Sequence, residues 1–198
     1  SSSKTLNEDH RRSIIVLSAL YFCNIFLEFG LIVLLPLMYS ENMCGASTQS
    51  LQHKCQLLTQ TDLSKLTLAT VGSIVGAIAA LILAQCIGRL IPLRVASFIM
   101  FLSIASLFLC INETFTLVTT TVAKIVEMFV NMTIWIMVPE SFPTNIRSTA
   151  TGFINAWGKI GGVLGTGCVY LLFYLSPYSV IGLFLLCSFV GFVGTMIY

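Results

Sequence analysis

The sequence predicts an all-α, polytopic membrane protein with six transmembrane helices. Six apolar stretches of bilayer-spanning length fill most of the 198 residues. Hydrophobic residues make up 57% of the chain and charged residues 9%, which is too little polar surface to cover a soluble globule of this length. The chain is therefore predicted to be solvated by lipid.

Each span is placed where about 20 consecutive apolar residues would cross the hydrocarbon core. Helices are the expected form, because backbone groups in lipid must be paired within their segment and these runs exceed the strands of an outer-membrane barrel. The predicted helices are Ser13 to Met38, Leu63 to Ile87, Arg94 to Ile111, Phe115 to Val138, Ala150 to Tyr174 and Ser179 to Tyr198. Residues 1–12 then form a polar N-terminal segment, and residues 13–198 form one transmembrane bundle.

The basic residues predict which side of the bundle faces the cytosol. One side of the alternating path carries Lys4, Arg11, Arg12, Arg89, Arg94 and Arg147. The positive-inside rule assigns that side to the cytosol, and six spans return the C-terminus to it. We therefore expect a multi-pass protein of the plasma membrane or an intracellular vesicle membrane, with both termini cytosolic. The polar first twelve residues do not fit a secretory signal peptide.

The loop between the first two spans, residues 39–62, lies on the opposite side and contains Cys44 and Cys55. A loop facing an oxidising compartment can keep a disulfide, and a separation of eleven residues allows closure. We predict a bond between Cys44 and Cys55, with two free thiols as the alternative.

Polar side chains recur at helical spacing inside three of the spans. They are Asn24 and Glu28 in the first span, Lys124, Glu127 and Asn131 in the fourth, and Asn155 and Lys159 in the fifth. A charge at the bilayer centre costs about 2.5 to 3.5 kcal/mol unless it is paired or hydrated, so these faces are expected to converge on a substrate cavity. The alternative is purely structural pairing, of Lys124 with Glu127 and of Glu28 with Lys159.

Small residues form two further stripes at one-turn spacing. The second span contains Gly72, Gly76, Ala80 and Ala84, and the fifth contains Gly158, Gly161, Gly162 and Gly165. Such stripes allow two helix backbones to approach closely in lipid. We interpret them as helix-packing surfaces.

The loop after the fourth span carries a family resemblance. Its sequence Pro139-Glu140-x-Phe142-Pro143-Thr144-x-x-Arg147 resembles the proline-glutamate-proline-arginine loop of sugar porters, organic ion transporters and the synaptic vesicle 2 related group of the major facilitator superfamily. The stretch that follows, Arg147 to Gly165, is most similar to the synaptic vesicle 2 group and its SVOP-like relatives. The specific part of the resemblance is the stretch from Pro139 to Gly165.

The resemblance implies that these six spans are helices seven to twelve, one half of a fold whose substrate site lies between two halves. The implied partners are an N-terminal six-helix half or a partner subunit, and a small organic solute. Arg89, Glu140 and Arg147 are then the expected cytosolic gate. Gly88-Arg89, between the second and third spans, resembles the remnant of the superfamily's aspartate-arginine-x-glycine-arginine gating motif. In that motif this chain has Gln85 in place of the aspartate and Cys86 in place of the first arginine.

Two functions remain open. The first is half of a secondary active transporter moving a small organic solute by alternating access. In the resembling organic ion transporters, the position that Lys159 matches tends to be basic where anions are carried, which favours an organic anion. Lys124 supports that preference, whereas Glu127 opposes it. The second is a transport-inactive scaffold or receptor subunit, favoured by the altered gating motif. A chain that starts without Met and ends in an apolar run leaves open whether it is a portion of a longer protein or a natural half.

Other function classes are not indicated by the sequence. It shows no nucleophile-base pair, no metal-ligand cluster and no glycine-rich phosphate loop, so we expect neither an enzyme nor a bound cofactor or metal. The net charge of +2 gives no indication of a nucleic-acid partner.

Overall fold

The computed structural model of the chain describes residues 2–40, 60–109, 113–173 and 176–198. These residues form six α-helices: α1 (Ser2–Ser40), α2 (Gln60–Cys86), α3 (Leu90–Ser106), α4 (Glu113–Glu140), α5 (Arg147–Phe173) and α6 (Pro177–Ile197). A 3-10 turn, Leu107–Leu109, follows α3. All six helices contain a segment long and apolar enough to cross a membrane. The predicted all-α, multi-pass membrane fold is confirmed.

All six helices begin earlier than the sequence predicted, and the differences are largest for α1 and α3. Helix α1 starts at Ser2 instead of Ser13, because polar residues outside the bilayer can continue a helix that the apolar span has already nucleated. Helix α3 starts at Leu90 instead of Arg94. Pro92 then falls in its first turn, where the missing N–H breaks no helical hydrogen bond.

The fourth helix extends two residues beyond its predicted end at Val138. Helix α4 continues through Pro139 to Glu140, and the next backbone N–H, that of Ser141, still donates to the Met137 carbonyl at 3.0 Å. A proline removes a single donor, and one lost bond in the last turn does not end a helix that is held by packing.

The bundle is organised around α1 and α4. Helix α1 packs along α5 and also contacts α6 and α4, while α2 packs along α4, and α3 lies against α4 and α6. The core is an apolar cluster to which α1 and α4 contribute most of the side chains. Large apolar side chains stay exposed on the outer helices, as expected where lipid is the solvent.

The glycine stripe of α5 lies at the contact with α1. A Cβ atom added to Gly161 would sit 2.7 Å from the Phe22 carbonyl oxygen, and one added to Gly165 would overlap the Phe26 carbonyl oxygen. Both oxygens belong to the backbone of α1 and are one turn apart, as are the two glycines. The stripe therefore fixes how α5 crosses α1.

The stripe of α2 lies in the same way against α4. A Cβ on Gly72 would meet the side chains of Thr121 and Ile125 at 3.3 and 3.1 Å, and one on Gly76 would overlap the Ile125 carbonyl. Ala80, one turn further along, is fully buried. The structure thus places both small-residue stripes at helix contacts, as the sequence predicted.

The predicted Cys44–Cys55 disulfide lies outside the described residues. Within them, Cys23, Cys86, Cys168 and Cys187 are free thiols.

Candidate functional site

A cluster of polar side chains joins α1 to α4 near the middle of the bundle. Asn131 of α4 donates from Nδ2 to Oε2 of Glu28 of α1 at 2.9 Å. Lys124 donates from Nζ to Oε2 of Glu127 at 3.2 Å and also lies 3.5 Å from the Glu28 backbone carbonyl oxygen. The structure therefore brings together Glu28, Lys124, Glu127 and Asn131, hereafter the polar cluster.

Helical spacing and packing explain why these side chains meet. Residues three and four apart lie on one face of a helix, so Lys124, Glu127 and Asn131 share the face that α4 turns toward α1. Exposed fractions are 8% for Lys124, 2% for Glu127 and 7% for Asn131, while Glu28 is half-buried. The described part of the cluster thus holds two carboxyl groups and one ammonium group away from bulk lipid.

The cluster has unused hydrogen-bonding capacity. Oε1 of Glu127 and Oδ1 of Asn131 are buried and have no hydrogen-bond partner among the described residues. A buried polar atom without a partner loses the hydration it would have in water. The arrangement can therefore accept hydrogen bonds from a polar ligand or carry a proton on a carboxyl group.

The two polar residues predicted from the fifth span lie apart from this hydrogen-bonded group. Asn155 is half-buried and Lys159 is exposed on the surface of the bundle. Lys159 and Glu28 interact only at a longer range through their opposite charges, and the described residues include no ion pair between the two. Lys159 thus lies at the exposed surface of the bundle, outside the polar cluster.

Asn24, one turn before Glu28, lines a separate small cavity between α1, α3, α4 and α6. The cavity has a volume of about 30 Å³, and its polar lining consists of Cys23, Asn24, Ser97, Cys187, Ser188 and Thr195. Nδ2 of Asn24 and Oγ of Ser188 are buried without a partner in the described part of the chain. The volume and the polar groups suit one or two water molecules.

The α6 residues of this cavity were not predicted from the sequence. Ser188 and Thr195 are buried, and they lie seven residues apart on one face of α6 with Gly191 between them. The two-turn spacing of these hydroxyl groups could have predicted a shared polar face on α6. It was overlooked because the last span is otherwise strongly apolar.

An aromatic pair supports the cluster from the side. Tyr21 of α1 and Trp135 of α4 meet edge to face, with ring centroids 5.9 Å apart and an interplanar angle of 90°. Tyr21 also fills the space next to Gly158 of α5, where a Cβ atom would overlap its ring. The Tyr21 ring therefore connects α1, which carries Glu28, to the glycine stripe of α5.

The residues predicted to form a gate lie together at one end of the bundle. Arg89, in the turn between α2 and α3, forms an ion pair with Glu140 at the end of α4. Arg147 donates instead from Nε to the Phe142 carbonyl oxygen at 3.3 Å. The described structure therefore ties the α2–α3 turn to α4 through Arg89, and Arg147 stabilises the loop that leads into α5.

Replacing Arg89 with glutamine should lower the free energy of unfolding by less than about 1 kcal/mol, because both partners of its ion pair are partly exposed and such pairs contribute little. Glu140→Gln should have the same effect, and the double variant should cost no more than either single one. Denaturant unfolding followed by circular dichroism measures all three. Additive losses in the double variant would show that the two side chains act separately.

No protein-family model and no curated protein sequence matches this chain.

Proposed function

We propose that this chain forms one six-helix half of a secondary active transporter. The solute is a small organic molecule, with an organic anion favoured, and it moves by alternating access between this half and a second one. The observation that supports the proposal is the polar cluster: two carboxyl groups, an ammonium group and an amide lie at mid-span on α1 and α4. Such groups are costly inside a membrane and in general mark a substrate or ion pathway.

The position of Lys159 supports an anionic solute. Its side chain is exposed beside Glu28, on the surface of the bundle and outside the hydrogen-bonded core. The ammonium of Lys124, in contrast, is already shared with Glu127. Among the described residues of this region, Lys159 is therefore the charge that is free to meet a carboxylate or sulfonate of a solute entering from a facing half.

The second candidate function is a transport-inactive scaffold or receptor subunit. The closed Lys124–Glu127 pair favours it, since two charges that neutralise each other within one helix need no ligand. Gln85 and Cys86 favour it as well, because both are exposed and neither can supply the charge of the gating motif. In this case the polar cluster serves to stabilise the contact between α1 and α4.

Uptake by the full-length protein in proteoliposomes separates the two functions. Radiolabelled benzoate is a suitable small anionic probe, and benzylamine is its cationic counterpart. We expect benzoate uptake above that of empty liposomes, at least a tenfold loss in Lys159→Gln and retention in Lys159→Arg. Benzylamine uptake with no benzoate uptake would reverse the predicted charge preference. Uptake of neither probe, together with stable folding, would favour the scaffold.

Thiol labelling tests the access pathway without knowledge of the solute. In a background without the native cysteines, Lys159→Cys should react with a membrane-impermeant thiosulfonate, because the position lies on a water-filled path. Leu102→Cys is the matched control, since Leu102 is exposed on α3, a helix that packs on α4 and α6 and turns its other face outward. Equal, negligible labelling of both positions would contradict a solvated path at Lys159.

A further inference from the structure

An apolar groove runs along the outer surface between the N-terminal half of α1 and the C-terminal half of α6. Its volume is about 300 Å³, and its walls are Ile15, Val16, Ala19 and Leu20 from α1 and Phe189, Val190, Val193, Gly194 and Ile197 from α6. The groove is separate from the polar cluster, and none of the residues of that cluster lines it.

The groove exists because small residues alternate with large ones along its floor. Helix α6 comes close to α1 at Gly194, where an added Cβ would lie 2.7 Å from Leu20 Cδ2. Ala19 is exposed beside it, and large side chains such as Ile15, at 60% exposure, and Val190, at 47%, form the rims. The result is a narrow apolar groove that suits a flexible hydrocarbon chain.

The groove begins in the leaflet that contains Arg12 and reaches the centre of the bilayer. With a rise of about 1.5 Å per residue, its α1 wall begins about 4.5 Å beyond Arg12 along the helix axis and ends about 12 Å beyond it. One leaflet of the hydrocarbon core is about 15 Å thick. Gly194 of α6 faces Leu20, so the α6 wall runs in the opposite chain direction, from about 7.5 Å beyond Arg12 at Ile197 to about 19.5 Å at Phe189.

Two arginines of α1 lie at the end of the groove that is nearer to the N-terminus of this helix. Arg12 precedes Ile15 and Val16 by three and four residues, so it lies on the helix face that forms the wall, and Arg11 precedes Ile15 by four. Both arginines are exposed. Glu8 and Asp9 precede the two arginines by about one turn in the sequence.

We propose that this groove binds an anionic phospholipid of the cytosolic leaflet, with an acyl chain between α1 and α6 and the headgroup phosphate at Arg11 and Arg12. The long side chains of the arginines reach the interface where phosphates lie. The cytosolic leaflet carries the anionic lipids, and each basic residue near its surface contributes about 1 kcal/mol of attraction. The proposal rests on the predicted orientation of α1 and is independent of the proposed transport function.

Fluorescence quenching by brominated lipids tests this site in the full-length protein. Ile15→Trp, in a background with Trp135 and Trp157 replaced by phenylalanine, places a reporter on the groove rim. The protein is reconstituted in vesicles of phosphatidylcholine with either brominated phosphatidylserine or brominated phosphatidylcholine. Stronger binding of the serine lipid is expected at this reporter, and each of Arg11→Gln and Arg12→Gln should reduce that preference by up to about fivefold.

Three further variants make the result decisive. A reporter at Leu102→Trp, on the outer face of α3, should show no preference between the two lipids. Ala19→Phe fills the groove and should abolish the preference at Ile15→Trp although both arginines remain. If Ile15→Trp does not fold, Val193→Trp reports from the opposite wall. Equal quenching by the two lipids at the rim reporter, or a preference that survives loss of both arginines, would overturn the proposal.

Discussion

Replacing Gly165 with alanine should lower the free energy of unfolding by about 1 to 3 kcal/mol. The added methyl group would overlap the Phe26 carbonyl oxygen of α1, which is part of the backbone and cannot rotate away as a side chain would. Overpacking of this kind forces a backbone shift and costs about that amount. The loss should appear even though alanine is the better helix former by about 1 kcal/mol.

Gly167 provides a matched control on the same helix. A Cβ atom there would meet nothing within 4 Å, so Gly167→Ala should leave stability unchanged or raise it by up to about 1 kcal/mol. Unfolding of the detergent-solubilised protein in increasing sodium dodecyl sulfate, followed by circular dichroism, measures both. If Gly165→Ala is as stable as Gly167→Ala, then α1 and α5 do not approach as closely as the structure shows.

The features of the fold that depend on local sequence were predictable. Span length and hydropathy predicted six helices because each helix pairs its own backbone groups, and one-turn spacing predicted which glycines lie at contacts. Helix ends were less predictable. Whether Pro139 ends α4 depends on how firmly the last turn is packed, and the start of α1 at Ser2 depends on residues outside the lipid, where the apolar signal stops.

The candidate site was predictable along each helix but not between helices. Spacing correctly indicated that Lys124, Glu127 and Asn131 share a face. It did not indicate which of them Glu28 would contact, because that depends on the rotation of α1 about its axis. The glycine stripe of α5 and the Tyr21 ring set this rotation, and the result is a Glu28–Asn131 hydrogen bond at 2.9 Å.

The close packing of α5 on α1 explains why Lys159 does not pair with Glu28 in the described structure. The stripe face of α5, which carries Gly158, Gly162 and Gly165, is buried against α1, whereas Lys159 lies on the neighbouring exposed face. A helix that uses its small residues for packing turns its adjacent long residues outward. The position of Lys159 at the rim of the cluster therefore follows from the requirement for close approach between α1 and α5.

Replacing Lys124 with leucine should destabilise the protein by about 3 to 5 kcal/mol, the typical cost of removing one member of a buried ion pair. Glu127 is 2% exposed, and its Oε2 accepts from Lys124 at 3.2 Å while its Oε1 has no partner among the described residues. Without the ammonium group, the carboxylate would be buried with no compensating charge. Glu28, the other carboxyl group of the cluster, would add repulsion.

The double variant Lys124→Leu/Glu127→Leu should recover most of the lost stability, because two apolar side chains of similar volume then replace the pair. Lys124→Leu/Glu127→Gln should recover part of it, since the charge is removed while a buried amide remains. The same unfolding measurement on the two single and two double variants gives the coupling between the residues. If the losses of the two leucine substitutions simply add, Lys124 and Glu127 do not stabilise each other. Lys124 must then be stabilised mainly by other groups such as the Glu28 carbonyl oxygen, 3.5 Å away.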